Sequence, residues 1–306
     1  MKIRIGTRTS KLALSQVAEF HLLLADFFSD LKIEIVPITT SGDKIQDRNL
    51  ADIGGKGLFI KELEEALIQD RIDLAIHSAK DVPPQIHQDT IIAAFTPRQD
   101  SRDCFVSNKF KNLEDLPKGA VVGTSSARRK AMILRKRPDL LVTSFRGNVD
   151  TRLRKLDENQ VDATVLALCG LERLGKEKFC KKVFEKNEML PAGGQGALAI
   201  QIKNSSDSLI EILRKINHQE TMIAIKCERS FLRELGASCS TPVGVHAEID
   251  GKKITLKTQL LSFKGDKIYE TKYSGEAEME SAIELGIKSA QDVKKNAASL
   301  LESCLA

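Results

Sequence analysis

From residue 121 the chain reads Val-Val-Gly-Thr-Ser-Ser-Ala-Arg-Arg-Lys. Cations continue through Arg135, Lys136, Arg137, Arg146, Arg152, Arg154 and Lys155, with Asp139 and Asp150 as the opposing acids. The β-branched run ending at Gly123 predicts a buried strand, and Ser125 or Ser126 suits the N-cap of a helix beginning near Ala127. Strand and turn would deliver a helix N-terminus, whose unsatisfied N–H groups and dipole favour an anion. Arg128 and Arg129 would stand beside it, and guanidinium forks favour planar, bidentate acids such as carboxylate or phosphate. A solvated basic helix face would carry the same residue types. The placement of the pair at a loop-to-helix junction favours a site for a multiply charged anion.

Three further segments carry candidate chemistry. His77-Ser78-Ala79-Lys80-Asp81-Val82-Pro83-Pro84 puts polar groups at the carboxyl end of an apolar strand, where open α/β sheets bind ligands. Pro83 and Pro84 stop a helix from continuing there. Two readings fit Asp81: a helix or turn cap, or a carboxylate beside Lys80 that stays ionised and stabilises a cation or carries a proton. Gly54-Gly55-Lys56-Gly57-Leu58-Phe59 resembles a phosphate loop but fails its pattern, since no Ser or Thr follows Lys56 and the upstream glycine is missing. It reads as a lid-like turn with one anion-binding lysine. In Gly236-Ala237-Ser238-Cys239-Ser240-Thr241-Pro242-Val243-Gly244, small neighbours leave the Cys239 sulfur accessible ahead of a strand. No histidine forms a recognisable dyad with it, so a reactive thiol and an inert surface cysteine both fit. Cys169 and Cys227 lie in apolar or helical patterns and read as core.

These segments need elements to position them. The strand Lys2 to Ile5 runs into Gly6-Thr7-Arg8-Thr9-Ser10 and a helix with Leu14, Val17, Ala18, His21, Leu22 and Ala25 at helical spacing. Gly123-Thr124-Ser125-Ser126 repeats that junction. Ile72 to Ile76 and Val161 to Val165 are matching strands, each after a helical segment, Ile60 to Ile68 or Thr151 to Leu156. Two related α/β units with mostly parallel sheets follow from this alternation. Residues 95–100 and 190–196 read as the crossings between the units. After the second crossing, a strand (197–202) and a helix (208–216) return to the first unit. Beyond Gln219 a helix runs to Leu235, hairpin turns mark Asp250-Gly251 and Lys264-Gly265-Asp266, and a last helix spans about Ala277 to Leu301. The expected domains are 1–96 with 197–216, then 101–190, then 219–306, the first two hinged about a cleft.

Composition sets outer limits. The 306 residues are 42% hydrophobic and 29% charged with net charge +5, which describes a folded chain of two or three domains rather than a disordered one. Six cysteines, at 104, 169, 180, 227, 239 and 304, show no C-x-x-C spacing, against a zinc site or a dense disulfide framework and in keeping with a reducing cytoplasm. The strand-like start leaves no room for a signal peptide, and no apolar run reaches membrane-span length. One aromatic, Phe145, interrupts the basic stretch, too few for nucleic-acid stacking.

Taken in order, Gly6-Thr7-Arg8, Gly54 to Phe59, His77 to Pro83, Gly123 to Arg129, Arg146-Gly147-Asn148-Val149-Asp150-Thr151-Arg152, Gly170-Leu171-Glu172-Arg173-Leu174-Gly175, Gly194-Gln195-Gly196-Ala197 and Cys239 with Pro242 resemble the hydroxymethylbilane synthase, or porphobilinogen deaminase, family over nearly the whole chain. The resemblance implies two hinged periplasmic-binding-protein-like α/β domains and a small C-terminal α+β domain with an antiparallel sheet. It implies a dipyrromethane cofactor held to Cys239 by a thioether, a transferase that condenses four porphobilinogen molecules with loss of ammonia, and no metal. Arg128, Arg129, Lys80, Ser126 and Asp81 would hold the cofactor, with Asp81 also catalytic under the pyrrole nitrogens. Arg8, Ser10, Lys56, Arg146, Arg152 and Arg173 would hold substrate, whose rings each carry an acetate and a propionate. The resemblance further implies a cytoplasmic monomer that hands product to uroporphyrinogen-III synthase, with no nucleic-acid or membrane partner.

Two positions depart from the family pattern: Asp52 stands where a lysine is common, and Ser238 where glycine is frequent. The first would weaken carboxylate binding at the lid and the second would cost backbone freedom in the cysteine loop. A non-catalytic hinged binding protein for a polycarboxylate or other anion is the rival reading, but it has no use for Cys239.

Overall fold

Short β-branched runs and amphipathic stretches alternate, and the chain folds accordingly. The computed structural model describes residues 2–28, 30–44 and 60–305. It opens with β1 (Lys2–Thr7), α1 (Lys11–Ala25), β2 (Lys32–Pro37), a short α2 (Ser41–Lys44), α3 (Lys61–Ile68), β3 (Leu74–Ser78) and β4 (Thr90–Phe95). There follow β5 (Asp103–Val106), β6 (Val121–Gly123), α4 (Ala127–Lys136), β7 (Leu141–Thr143), α5 (Val149–Asp157), β8 (Ala163–Ala167), α6 (Leu168–Glu172) and β9 (Cys180–Val183). Then come β10 (Leu198–Lys203), α7 (Asp207–Ile216), α8 (Gln219–Leu235), β11 (Val243–Asp250), β12 (Lys253–Leu261), β13 (Ile268–Glu276), α9 (Met279–Asn296) and α10 (Ala298–Leu305). Two units contain them: Met1–Gln99 with Gly196–Met222, and Asp100–Gln195 with Ile223–Ala306. The glycine loop Gly54 to Phe59, with Lys56 and Asp52, lies outside the described residues.

In the first unit the strand order is β2-β1-β3-β10-β4; in the second it is β7-β6-β8-β5-β9. The orders match strand for strand once β1 is laid on β6 and β3 on β8. One strand in each sheet runs against the rest, β10 beside β3 and β4 and β5 beside β8 and β9. The remaining pairs are parallel, so the expected mostly parallel sheets hold with that exception. The reversed strand comes last along the chain in the first sheet and first in the second. The fold class is the one expected, α/β with two such sheets, plus a three-stranded antiparallel sheet β11-β12-β13.

Ile3 and Ile5 of β1, Leu74 and Ile76 of β3, and Leu198 and Ile200 of β10 form the first core with Val17, Phe20 and Leu24 of α1. The buried face of α1 is therefore 13-17-20-24; Val17 is buried as expected, but Leu14 and Leu22 of the expected stripe turn outward at 40% and 70% exposure. The two stripes differ by one residue, about 100° around the helix, and Phe20 and Leu24 offer the larger apolar volume. Burying Phe20 contributes roughly 1.5–3 kcal/mol. The second sheet buries Val122, Ala163 and Val165 on one side and Cys104, Val106 and Leu166 on the other.

The C-terminal sheet turns at Gly251 and Gly265, with φ of 55° and 74°, as the hairpin signals required. Against it, Cys227 and Phe231 of α8 pack with Val245, Leu256, Ala282 and Val293. The expected single last helix is instead two: the chain breaks at Ala297 (φ −132°, ψ 32°), and Leu300 and Leu301 of α10 are thereby buried in the same core.

Candidate active site

Parallel pairing of β1 with β3 sets their carboxyl ends side by side, and the polar residues that follow each strand meet there. Ser10 caps α1 by accepting from the Ala13 N–H at 3.2 Å. The Ser78 hydroxyl accepts from Gln16 Nε2 at 2.7 Å. Residues Ala79–Asp81 form a single 3-10 turn, pinned by the Ala79 N–H donating to the Ala197 carbonyl at 3.0 Å. Arg8, Ser10, Gln16, His77, Ser78 and Asp81 line a solvent-open hollow. Asp81 is exposed at the end of its turn, not at an N-cap position, which sets aside its reading as a cap. Lys80 is half-buried and outside the lining.

The sequence sets His77 among the polar groups of its segment but gives it no role of its own. It is 5% exposed, and its Nε2 lies 2.9 Å from Gln201 Oε1. Gln201 Nε2 donates to Glu64 Oε1 at 2.7 Å and to Thr90 Oγ1 at 2.8 Å. Burial lowers the His77 pKa to about 4, aided by the charge of Arg8 and opposed by the Gln201 bond. A polar residue inside an otherwise apolar strand was the available signal.

In the second unit β6 leads through Thr124 and Ser125 to Ser126, which caps α4 by accepting from the Arg129 N–H at 3.4 Å. Arg128 and Arg129 are 4% and 6% exposed. Asp103, with 0% exposure, takes Arg128 Nη1 on one oxygen and Arg129 Nη2 on the other, both at 2.7 Å. Of the two acids set against the basic run, Asp139 pairs with Arg137 within it, as expected, while Asp150 pairs with Lys176 outside it, and neither reaches Arg128 or Arg129. The true counterion comes from β5, a strand away, where one acid leads the apolar run Asp103-Cys104-Phe105-Val106. Arg128 Nη1 also donates to the Leu190 carbonyl at 2.7 Å and Arg129 Nη1 to the Val165 carbonyl at 3.0 Å. Gln195 Nε2 adds a bond to Asp103 at 2.9 Å. Burial alone would raise the Asp103 carboxyl, but the two guanidiniums outweigh it and hold the group well below the usual range. The trio keeps one net positive charge, and both Nε atoms are buried without a hydrogen-bond partner.

The turn after β7 carries Arg146. Gly147 takes φ of 114°, Asn148 caps α5, and Arg152 Nε donates back to the Gly147 carbonyl at 2.9 Å. The Arg146 carbonyl accepts from Lys155 at 3.2 Å, and the Phe145 N–H donates to Ser125 Oγ at 3.0 Å. Arg146 and Arg152 are thus held by one turn stitched to the Ser126 loop, while Arg173 stands at the end of α6. The structure gathers Arg8, Ser10 and Asp81 in the first unit, and Ser126, Arg128, Arg129, Arg146, Arg152, Arg173 and Cys239 belong to the second.

Cys239 sits between α8 and β11. Gly236 ends the helix with φ of 75°, and the Ala237 N–H returns to the Leu232 carbonyl at 3.0 Å. The Ser238 N–H donates to Thr241 Oγ1 at 3.0 Å, and the hydroxyls of Ser238 and Ser240 lie 2.7 Å apart. This turn leaves Cys239 exposed, whereas Cys104, Cys169, Cys227 and Cys304 are buried and Cys180 is half-buried. Ser238 is not in the left-handed region, so glycine's freedom is not needed there, contrary to the expected cost. Behind the turn, Glu228 of α8, fully buried, accepts from the Gly194 N–H at 2.7 Å and the Ala247 N–H at 2.8 Å.

Among the described residues no group of His, Cys, Asp and Glu could hold a metal ion, and no helix is long and apolar enough to cross a membrane. The chain matches the family model described as porphobilinogen deaminase, dipyromethane cofactor binding domain, over residues 3–211, and that for the porphobilinogen deaminase C-terminal domain over 222–295. It is similar to the porphobilinogen deaminase of Nitrobacter hamburgensis, 47% identical over 295 residues covering 96% of this chain and 93% of that one. The chloroplastic porphobilinogen deaminase of Oryza sativa subsp. japonica is 45% identical over 300 residues, 96% of this chain and 84% of that one. Among solved structures the methionine-binding protein MetQ is similar with a TM-score of 0.45 and 14% identity, over 70% of this chain and 88% of that one. The fold class stated above rests on the sheets themselves.

Proposed function

Because the chain belongs to the porphobilinogen deaminase family, we propose that it is a transferase that condenses four porphobilinogen molecules head to tail, with loss of ammonia, and releases hydroxymethylbilane by hydrolysis. Family membership favours this over the non-catalytic anion-binding reading. The activity belongs to porphyrin and heme biosynthesis. The observation that carries the residue assignment is the exposure of Cys239 at the tip of a braced turn, while four of the other cysteines are buried and Cys180 is half-buried.

The residues fit a polycarboxylate primer attached at that sulfur. When bound, the dipyrromethane supplies a free pyrrole α-carbon as nucleophile. Arg128 and Arg129 supply fixed positive charge next to the Ser126 cap; Asp103 holds both at 2.7 Å and is itself held by Gln195 Nε2 at 2.9 Å. Arg146, Arg152 and Arg173, with Arg8, Ser10 and Lys56, take the acetate and propionate groups of incoming substrate; Lys80 adds charge for the primer. Each ring brings two carboxylates, which suits bidentate donors over isolated ammonium groups. Asp81, exposed at the rim of its hollow, stabilises positive charge as ammonia leaves and accepts the proton given up after coupling.

We further propose three domains within the two units, 1–96 with 197–216, 101–190 and 219–306, one for each sheet. The same reading makes the protein a cytoplasmic monomer, with product passed to uroporphyrinogen-III synthase. The test of the primer is the denatured intact mass of the purified protein beside Cys239→Ser, each before and after incubation with porphobilinogen. A gain of two linked pyrrole units that requires Cys239 is the expected result. No gain in either protein would remove the assignment.

A further inference from the structure

We infer that His77 is a substrate-orienting residue, whose bare Nδ1 accepts a hydrogen bond from the pyrrole N–H of the incoming ring in the Asp81 hollow. The inference rests on the proposed deaminase reading. The tautomer follows from the neighbours. Glu64 Oε1 accepts from Gln201 Nε2 at 2.7 Å, and the same nitrogen reaches Thr90 Oγ1 at 2.8 Å. A carboxylate offers no proton, so the Gln201 amide nitrogen must face Glu64 and its oxygen must face His77. Gln201 Oε1 can then only accept, and His77 Nε2, 2.9 Å away, must carry the hydrogen. In a neutral imidazole this leaves Nδ1 as an unprotonated acceptor.

No partner for Nδ1 stands among the described residues, although His77 is 5% exposed and lines the hollow with Arg8, Ser78 and Asp81. Nδ1 is not among the buried side-chain atoms left without a partner, so it is open at the hollow that His77 lines, where a ligand donor can reach it. The charged groups around the ring decide which kind. Burial and Arg8 both oppose protonation, and Glu64 acts only through Gln201. Such an imidazole holds a neutral N–H without taking its proton, and a cationic ammonium beside Arg8 is the poorer match. Orientation thus falls to His77 and proton transfer to Asp81.

The test uses holoenzyme labelled with 15N-histidine. The expected spectrum shows His77 neutral with hydrogen on Nε2 between pH 6 and 8, and its Nδ1 signal shifts when porphobilinogen is added. A hydrogen on Nδ1, a protonated ring, or an Nδ1 signal that porphobilinogen leaves unmoved overturns the inference. His77→Gln keeps a donor towards Gln201 and removes the Nδ1 acceptor. It should melt near the parent while kcat/KM falls about five- to tenfold, mainly through KM. Unchanged kinetics in a correctly folded His77→Gln, with the parent making hydroxymethylbilane, would sink the inference and leave the deaminase reading standing. A parent that turns over no porphobilinogen would sink both.

Discussion

Arg128 and Arg129, adjacent in sequence, turn to the same buried counterion, each reaching its own oxygen of Asp103 at 2.7 Å. A helix side chain pair normally diverges by about 100°, so this convergence needs the acid to lie close under the first turn of α4. Removing one partner of a buried ionic set leaves uncompensated charge. Asp103→Asn is therefore expected to lose about 3–5 kcal/mol, measured as a lower urea midpoint. The folded carboxyl lies below its unfolded value, so this stability is complete above about pH 4 and is withdrawn only as pH falls through the depressed folded value. An Asp103→Asn protein as stable as the parent at pH 7 would contradict the account.

Asp81 has a different character, exposed at the hollow's rim and making no cap. Asp81→Ala should fold normally, with turnover of porphobilinogen reduced by about 10²–10⁴-fold. Asp81→Glu should retain a trace of activity, since the charge survives in a displaced position. Near-normal turnover by Asp81→Ala would take Asp81 out of the mechanism.

His77 leaves a signature in stability as well as in binding. Its folded pKa, lowered by burial to about 4 from 6.5, means that the unfolded chain takes up the proton first. The stability linked to this group is whole above pH 6.5 and lost as pH falls towards 4, with an order of ~3 kcal/mol. Thermal melts from pH 7 to pH 4 should therefore fall less steeply for His77→Gln than for the parent. Parallel curves would show that the ring is not buried neutral.

Gly196 lies where the chain crosses back into the first unit. It has φ of 104°, and a Cβ there would stand 2.5 Å from the Gln99 carbonyl oxygen. Neither the backbone conformation nor the oxygen yields readily. Gly196→Ala should cost at least about 2 kcal/mol, read from chemical unfolding, and a neutral result would mean that the crossing relaxes.

Local signals in the sequence were enough to mark most elements, because each is short-range chemistry. The Ser126 cap of α4, the α8 span from Gln219 to Leu235, and the turns at Gly251 and Gly265 follow from propensity, capping and glycine's access to positive φ. The repeated Gly-Thr junctions likewise announced two related sheets, whose shared strand order bears this out.

What required tertiary structure was every relation between distant segments. Which stripe of α1 is buried depends on the volume that β1, β3 and β10 present to it, so Phe20 and Leu24 displaced the expected Leu14 and Leu22. Asp103 as the counterion of Arg128 and Arg129, Gln201 as the partner of His77, and Glu228 as the acceptor of the Gly194 and Ala247 N–H groups each join residues that sequence spacing does not connect. Composition shows which charges and thiols the chain owns. Burial and pairing decide which of them are neutralised, which are shielded and which, like Cys239, stay within reach of solvent.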